Sequence, residues 1–138
     1  MDIIQAIRVA REYYDIDTYY HVMRVAAYVA NDNTIPEDKR EKCVILAIMH
    51  DLQEDAGFNY YMDCCAEYDS YIDKCIDLLT KDKEASYEYY LDSIKRSYNS
   101  YPEAYWVKMA DMKDHLSETE TLTEELKEKY LKALPYLL

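Results

Sequence analysis

The stretch Cys43-Val44-Ile45-Leu46-Ala47-Ile48-Met49-His50-Asp51-Leu52-Gln53-Glu54-Asp55-Ala56-Gly57 decides how this chain folds. It opens with seven consecutive apolar residues and then sets a histidine and three carboxylates behind them. An apolar run that passes into polar residues at helical spacing reads as a core helix with a polar tip. The pattern predicts a helix from about Glu37 to Asp55, opened by Pro36 and stopped at Gly57, the chain's one glycine. On such a helix His50 and Glu54 stand four apart, Asp51 and Asp55 four apart, and Asp51 and Glu54 three apart. All four then occupy neighbouring stripes of one face.

Outward from this helix the same periodicity continues in both directions. Ile3, Ile4 and Ile7, continued by Ala10, Arg11 and Tyr14, mark a first stripe; His21, Val25, Tyr28 and Val29 mark a second. Helices are expected over Asn59–Tyr68 and Ser70–Leu79. Another is expected from Ser86, a good N-cap, through Tyr98, and one with Pro102 in its first turn reaching Leu116. The last follows a cap at Thr121 or Thr123, with Leu126, Tyr130, Leu131 and Leu134 at helical spacing. One glycine and three prolines leave few tight hairpins, which argues against a sheet-rich fold. The expectation is one all-α domain over residues 1–138, a compact bundle of seven or eight helices.

The 138 residues are enough to bury a real core, and a half-apolar, one-third-charged composition belongs to a folded globular chain. The net charge of −12 repels nucleic-acid backbone and anionic membrane, so neither is expected as a partner. A small anionic substrate requires a metal or local cations to reverse the sign at its site. The first ten residues lack a basic start before an apolar run, and the longest apolar run is too short to cross a bilayer. A cytoplasmic protein is expected. Cys43, Cys64, Cys65 and Cys75 contain no C-x-x-C pair and are expected as reduced, packed thiols. The 17 tyrosines, often doubled, read chiefly as helix-shoulder residues that bury a ring and keep the hydroxyl wet.

Four polar side chains at the tip of a buried helix are costly without partners, and a divalent cation is the obvious common one. Imidazole with carboxylate suits Mn, Fe, Co, Ni or Zn. Two adjacent ligands do not complete a site. His21 heads the stripe His21-Val22-Met23-Arg24-Val25-Ala26, and Asp111 stands directly behind Val107-Lys108-Met109-Ala110. With His50 and Asp51 they make a set of two imidazoles and two carboxylates that leaves positions for water and substrate. Singly, each has an ordinary reading, as a hydrogen-bonded core histidine or a solvated helix edge. It is the identity, order and spacing of the four together that carries information.

The order His21 … His50-Asp51 … Asp111 resembles the HD-domain superfamily of metal-dependent phosphohydrolases. More narrowly, His50-Asp51-Leu52-Gln53-Glu54-Asp55, Leu79-Thr80-Lys81 before Ser86-Tyr87-Glu88-Tyr89-Tyr90, and Val107-Lys108-Met109-Ala110-Asp111 resemble the hydrolase domain of RelA/SpoT-type proteins and their small stand-alone relatives. Those enzymes remove the 3′-pyrophosphate of ppGpp and pppGpp, usually with manganese. The resemblance implies His21, His50, Asp51 and Asp111 as metal ligands. It implies Glu54 and Asp55 as the pair that positions and activates water. Lys81, Lys108 and His115 become candidate substrate contacts, with Lys83 and Lys113 as further cations that could meet a phosphate; Lys81 comes first because it holds the family's basic position after Leu79-Thr80. The chain departs from the family upstream of His21, where Tyr13 to Tyr20 contains no cation. It departs again at His115, where the family has a guanine-holding asparagine, and at Ser117 and Glu118. Alternatives that stay open are an HD-type nucleoside-monophosphate phosphatase and a non-catalytic metal- or nucleotide-binding module. Oligomeric state is not legible.

Overall fold

The computed structural model of the chain describes every residue except 60–68 and 119. The described residues form helices and turns with no strand. In chain order they are α1 (Ile3–Tyr13), α2 (Ile16–Ala30), α3 (Glu37–Met49), α4 (Leu52–Asp55), α5 (Ser70–Leu78), α6 (Tyr87–Arg96), α7 (Pro102–Ser117) and α8 (Glu124–Ala133), closed by a 3-10 turn over Leu134–Tyr136. The all-α bundle expected from periodicity is what forms. The helix expected over Asn59–Tyr68 lies, apart from Asn59, outside the described residues.

Local chemistry sets most of the boundaries. Asp2 caps α1 in a reciprocal box with Gln5, and Asp15, Ser86 and Thr123 accept from backbone N–H groups to start α2, α6 and α8. Pro102 opens α7 at a position where its missing N–H costs nothing. The C-terminal half of α3, from Ile45 to Met49, is buried on every side, which marks it as the core element. Helices α1, α2, α5 and α7 pack around it.

Two expectations are corrected. In α1 the inward face is carried by Ala6 and Ala10, both without exposure, while Ile4 is 66 % exposed and Arg11 is exposed as well. Ile3, Ile7, Ala10 and Tyr14 pack inward as expected, and Ala6 is the inward residue that a search for large apolar side chains overlooks. The helix expected over 37–55 is also not continuous. It ends at Met49, and a separate turn, α4, begins at Leu52. The cause is the Tyr14 hydroxyl, which donates to Ile48 O at 2.9 Å and accepts from the Asp51 N–H at 3.2 Å. In an unbroken helix that N–H would bond Ala47 O; here Ala47 O receives the His50 ring instead, at 2.6 Å. The chain does stop at Gly57, whose φ of +65° lets the Phe58 N–H return to Leu52 O, which already accepts from the Ala56 N–H.

Cys43 and Cys75 are fully buried free thiols, each pushed up to about 12 chiefly by burial, as expected of inert packed cysteines. Cys64 and Cys65 lie outside the described residues. Among the described residues no helix is long and apolar enough to cross a membrane.

Candidate metal centre

Three elements deliver polar side chains to one point against the core. Helix α2 presents His21 and Arg24, the α3–α4 junction presents His50 and Asp51, and α7 presents Lys108, Asp111, Asp114 and His115. One ligand atom from each of His21, His50, Asp51 and Asp111 lies within 4.8 Å of every other, so the four can share a single ion. His21 Nε2 is 2.8 Å and His50 Nε2 is 3.2 Å from the same Asp111 Oδ1. Asp51 closes the cluster, with Oδ2 3.5 Å from His21 Nε2 and Oδ1 3.4 Å from His50 Nε2.

The outer nitrogens fix the state of both rings. His21 Nδ1 is 2.6 Å from Asp114 Oδ2, and His50 Nδ1 is 2.6 Å from Ala47 O. A carboxylate and a carbonyl only accept, so each Nδ1 carries the proton. In a neutral ring each Nε2 lone pair then points at carboxylate oxygens, which is repulsive. The arrangement needs positive charge in the middle, supplied either by protons on Nε2 or by a cation. Orientation of a ligating imidazole through its other nitrogen is also the usual outer support of a metal site. The donor set therefore fits a divalent ion.

The electrostatics agree. Burial works to lower the His50 pKa, yet Asp51 and Asp111 outweigh it and push it up to about 9. His21 moves in the same direction, burial again being outweighed by its bond to Asp111. Burial works to raise Asp111, but Lys108 and the imidazoles hold it well below the ordinary carboxylate range. Glu54 and Asp55 are raised, first by partial burial and next by the charge of Asp51.

These residues line a pocket of about 680 Å³. Of the residues singled out from the sequence, His21, Asp51 and Asp111, the acids Glu54 and Asp55, and Lys81, Lys108 and His115 line it, whereas Lys83 and Lys113 do not. His50 sits directly beneath, 2 % exposed. The three candidate substrate contacts are differently placed. Lys108 is buried with Nζ 2.7 Å from Asp111 Oδ2, so its charge is held on a member of the cluster. Lys81 Nζ donates to Asp82 O and Ala85 O at 2.8 and 2.7 Å. His115 is sandwiched between the His21 ring at 4.6 Å and the Tyr130 ring at 5.2 Å.

Sequence reasoning missed four contributors. Asp114 is fully buried and bridges His21 to Arg24, whose Nε and Nη2 donate to it at 2.8 and 3.0 Å. The signal was present: Arg24 follows His21 by three residues and Asp114 follows Asp111 by three, so each pair shares a helix face. Tyr14 and Lys129 gave no local signal. The first works through a hydroxyl from another helix. The second arrives on α8, with Nζ 4.6 Å above the Tyr87 ring at the pocket wall.

No protein-family model matches the chain, and no curated protein matches it either.

Proposed function

We propose that the chain is a metal-dependent phosphohydrolase of the HD type acting on a small phosphorylated nucleotide. The observation that carries this reading is the meeting of two Nδ1-tethered imidazoles and two carboxylates within 4.8 Å, at the floor of an open pocket rimmed by two further acids. His21, His50, Asp51 and Asp111 would hold the ion, Mn²⁺ by the resemblance, with Fe, Co, Ni or Zn suited to the same donors. When bound, such an ion acidifies water and offsets charge on phosphoryl oxygens. The chain's own residues do the rest. Glu54 and Asp55, their pKa values raised, are better proton acceptors than ordinary exposed carboxylates and lie in the same pocket. Arg24 and Asp114 keep the His21 ring in one orientation. Lys81 and Lys129, on the pocket wall, are the cations left to meet a substrate anion, since Lys108 and Arg24 are paired with Asp111 and Asp114.

That pairing bears on the substrate. Hydrolysis of the 3′-pyrophosphate of ppGpp is the reading that the motif order favours. The shortage of unpaired cations favours a second one, removal of a single phosphate from a nucleoside monophosphate. Phosphate release with Mn²⁺ across ppGpp, nucleoside monophosphates and a generic phosphodiester, beside an Asp51→Ala variant, tests both. Pyrophosphate from ppGpp supports the first and orthophosphate from monophosphates the second. No turnover of any of them by the metal-loaded wild type would overturn the enzymatic reading and leave a binding module.

A further inference from the structure

A second cavity, of about 780 Å³, lies outside the metal centre. Its walls are the C-terminal end of α2, the turn over residues 31–34, and the side of α7 turned away from the cluster. Three aromatic residues, Tyr28, Tyr105 and Trp106, line it with Met109, and each is only half-buried, so part of each ring borders the cavity. Lys113 is the one cationic side chain among the described lining residues, with Nζ 4.4 Å from the Tyr28 ring centroid. The one carboxylate there, Asp32, stays ionised, and its Oδ1 is held by the Thr34 N–H and hydroxyl at 2.9 and 2.6 Å. Asn33 at the rim offers an amide donor and acceptor.

Each of these features selects something different. Aromatic side chains with a thioether favour an aromatic ligand. A single lysine beside the rings favours an anionic substituent on that ligand, and the amide suits the edge of a heterocycle. The volume is within the range that holds a drug-sized molecule. We infer that this cavity is a binding site for a nucleotide, with the base against Trp106 and Tyr28 and the phosphate at Lys113. The inference stands on this cavity alone and holds whatever the metal centre does. The site has a built-in consequence. Helix α7 turns Trp106, Met109 and Lys113 toward the cavity and Lys108, Asp111 and Asp114 toward the cluster, so an occupant sits directly behind the metal centre.

Trp106 is the chain's only tryptophan and lines this cavity, so its emission is a probe of it. The test titrates AMP and GMP into the full chain in EDTA and follows that emission, with adenosine as the uncharged control. The expected result is saturable quenching by the nucleotides. Lys113→Gln should weaken binding roughly tenfold or more, the share of one charged contact. Lys113→Arg should retain it, and so should Lys129→Gln, which alters only the metal-centre pocket. Circular dichroism checks that each variant is folded. Unsaturable or absent quenching in the wild type, equal affinity in Lys113→Gln and wild type, or a loss caused by Lys129→Gln would each overturn the assignment.

Discussion

Asp111 does two jobs with its two oxygens. Oδ2 holds the buried Lys108 ammonium at 2.7 Å, while Oδ1 faces both cluster imidazoles. An ion would therefore meet one oxygen of Asp111, with the other already neutralised. His21 depends in turn on Asp114, which Arg24 clamps with two donors. Asp114→Asn keeps the shape but loses the charge that orients the ring, so Mn²⁺ affinity should fall roughly 10- to 100-fold in a direct titration. Unchanged affinity would make Asp114 a bystander. His50 gives a pH signature. Its folded, metal-free pKa is about 9 against an ordinary 6.5, so the folded chain holds that proton more tightly than the unfolded one. The resulting stabilisation is full below pH 6.5 and is lost as pH rises through about 9. An ion needs the unprotonated Nε2, so its binding strengthens over the same window. The melting temperature of the metal-free protein should fall between those pH values while the increment added by Mn²⁺ grows. Parallel declines with and without metal would contradict the assignment.

At the scale of elements, the break between α3 and α4 is the feature the sequence concealed. Apolar periodicity runs through His50 without interruption, and no proline or glycine marks the end. A hydroxyl from residue 14, far away in sequence, takes the bonds that would have continued the helix. Tyr14→Phe leaves Ile48 O and the Asp51 N–H unmet in a buried setting. It should cost about 1–3 kcal/mol in urea unfolding and loosen the metal site with it. A neutral Tyr14→Phe would mean the junction holds itself. Gly57 was legible, because a lone glycine after a helical run is a stop signal. A Cβ there would meet nothing within 4 Å, so Gly57→Ala should cost only the strain of a left-handed backbone, about 1–2 kcal/mol. A loss well above that would mean that neighbouring packing, and not backbone strain, decides this position. The caps at Asp15, Ser86 and Thr123 follow from local chemistry, whereas the inward place of Ala6, and the outward ones of Ile4 and Arg11, depend on the neighbouring helix and were not legible.

Over the whole molecule, a chain of net charge −12 gathers eight carboxylates and four cationic side chains around one pocket, two of those cations already paired. Such a site binds an anion only if a metal reverses its sign, so everything proposed for it rests on the ion. The four residues of the cluster were legible because order and helical spacing survive in a one-dimensional string. Their outer supports were only half legible: Arg24 and Asp114 sit at readable intervals from His21 and Asp111, while Tyr14 and Lys129 are brought in by packing alone. The most direct test of the central claim is Mn²⁺ stoichiometry by equilibrium binding, in the wild type and in Asp51→Asn, a conservative change at a partly exposed ligand. One ion per wild-type chain, released stoichiometrically by EDTA and strongly weakened in Asp51→Asn, is the expected result. No saturable binding by folded wild-type protein, or equal binding by the variant, would contradict it.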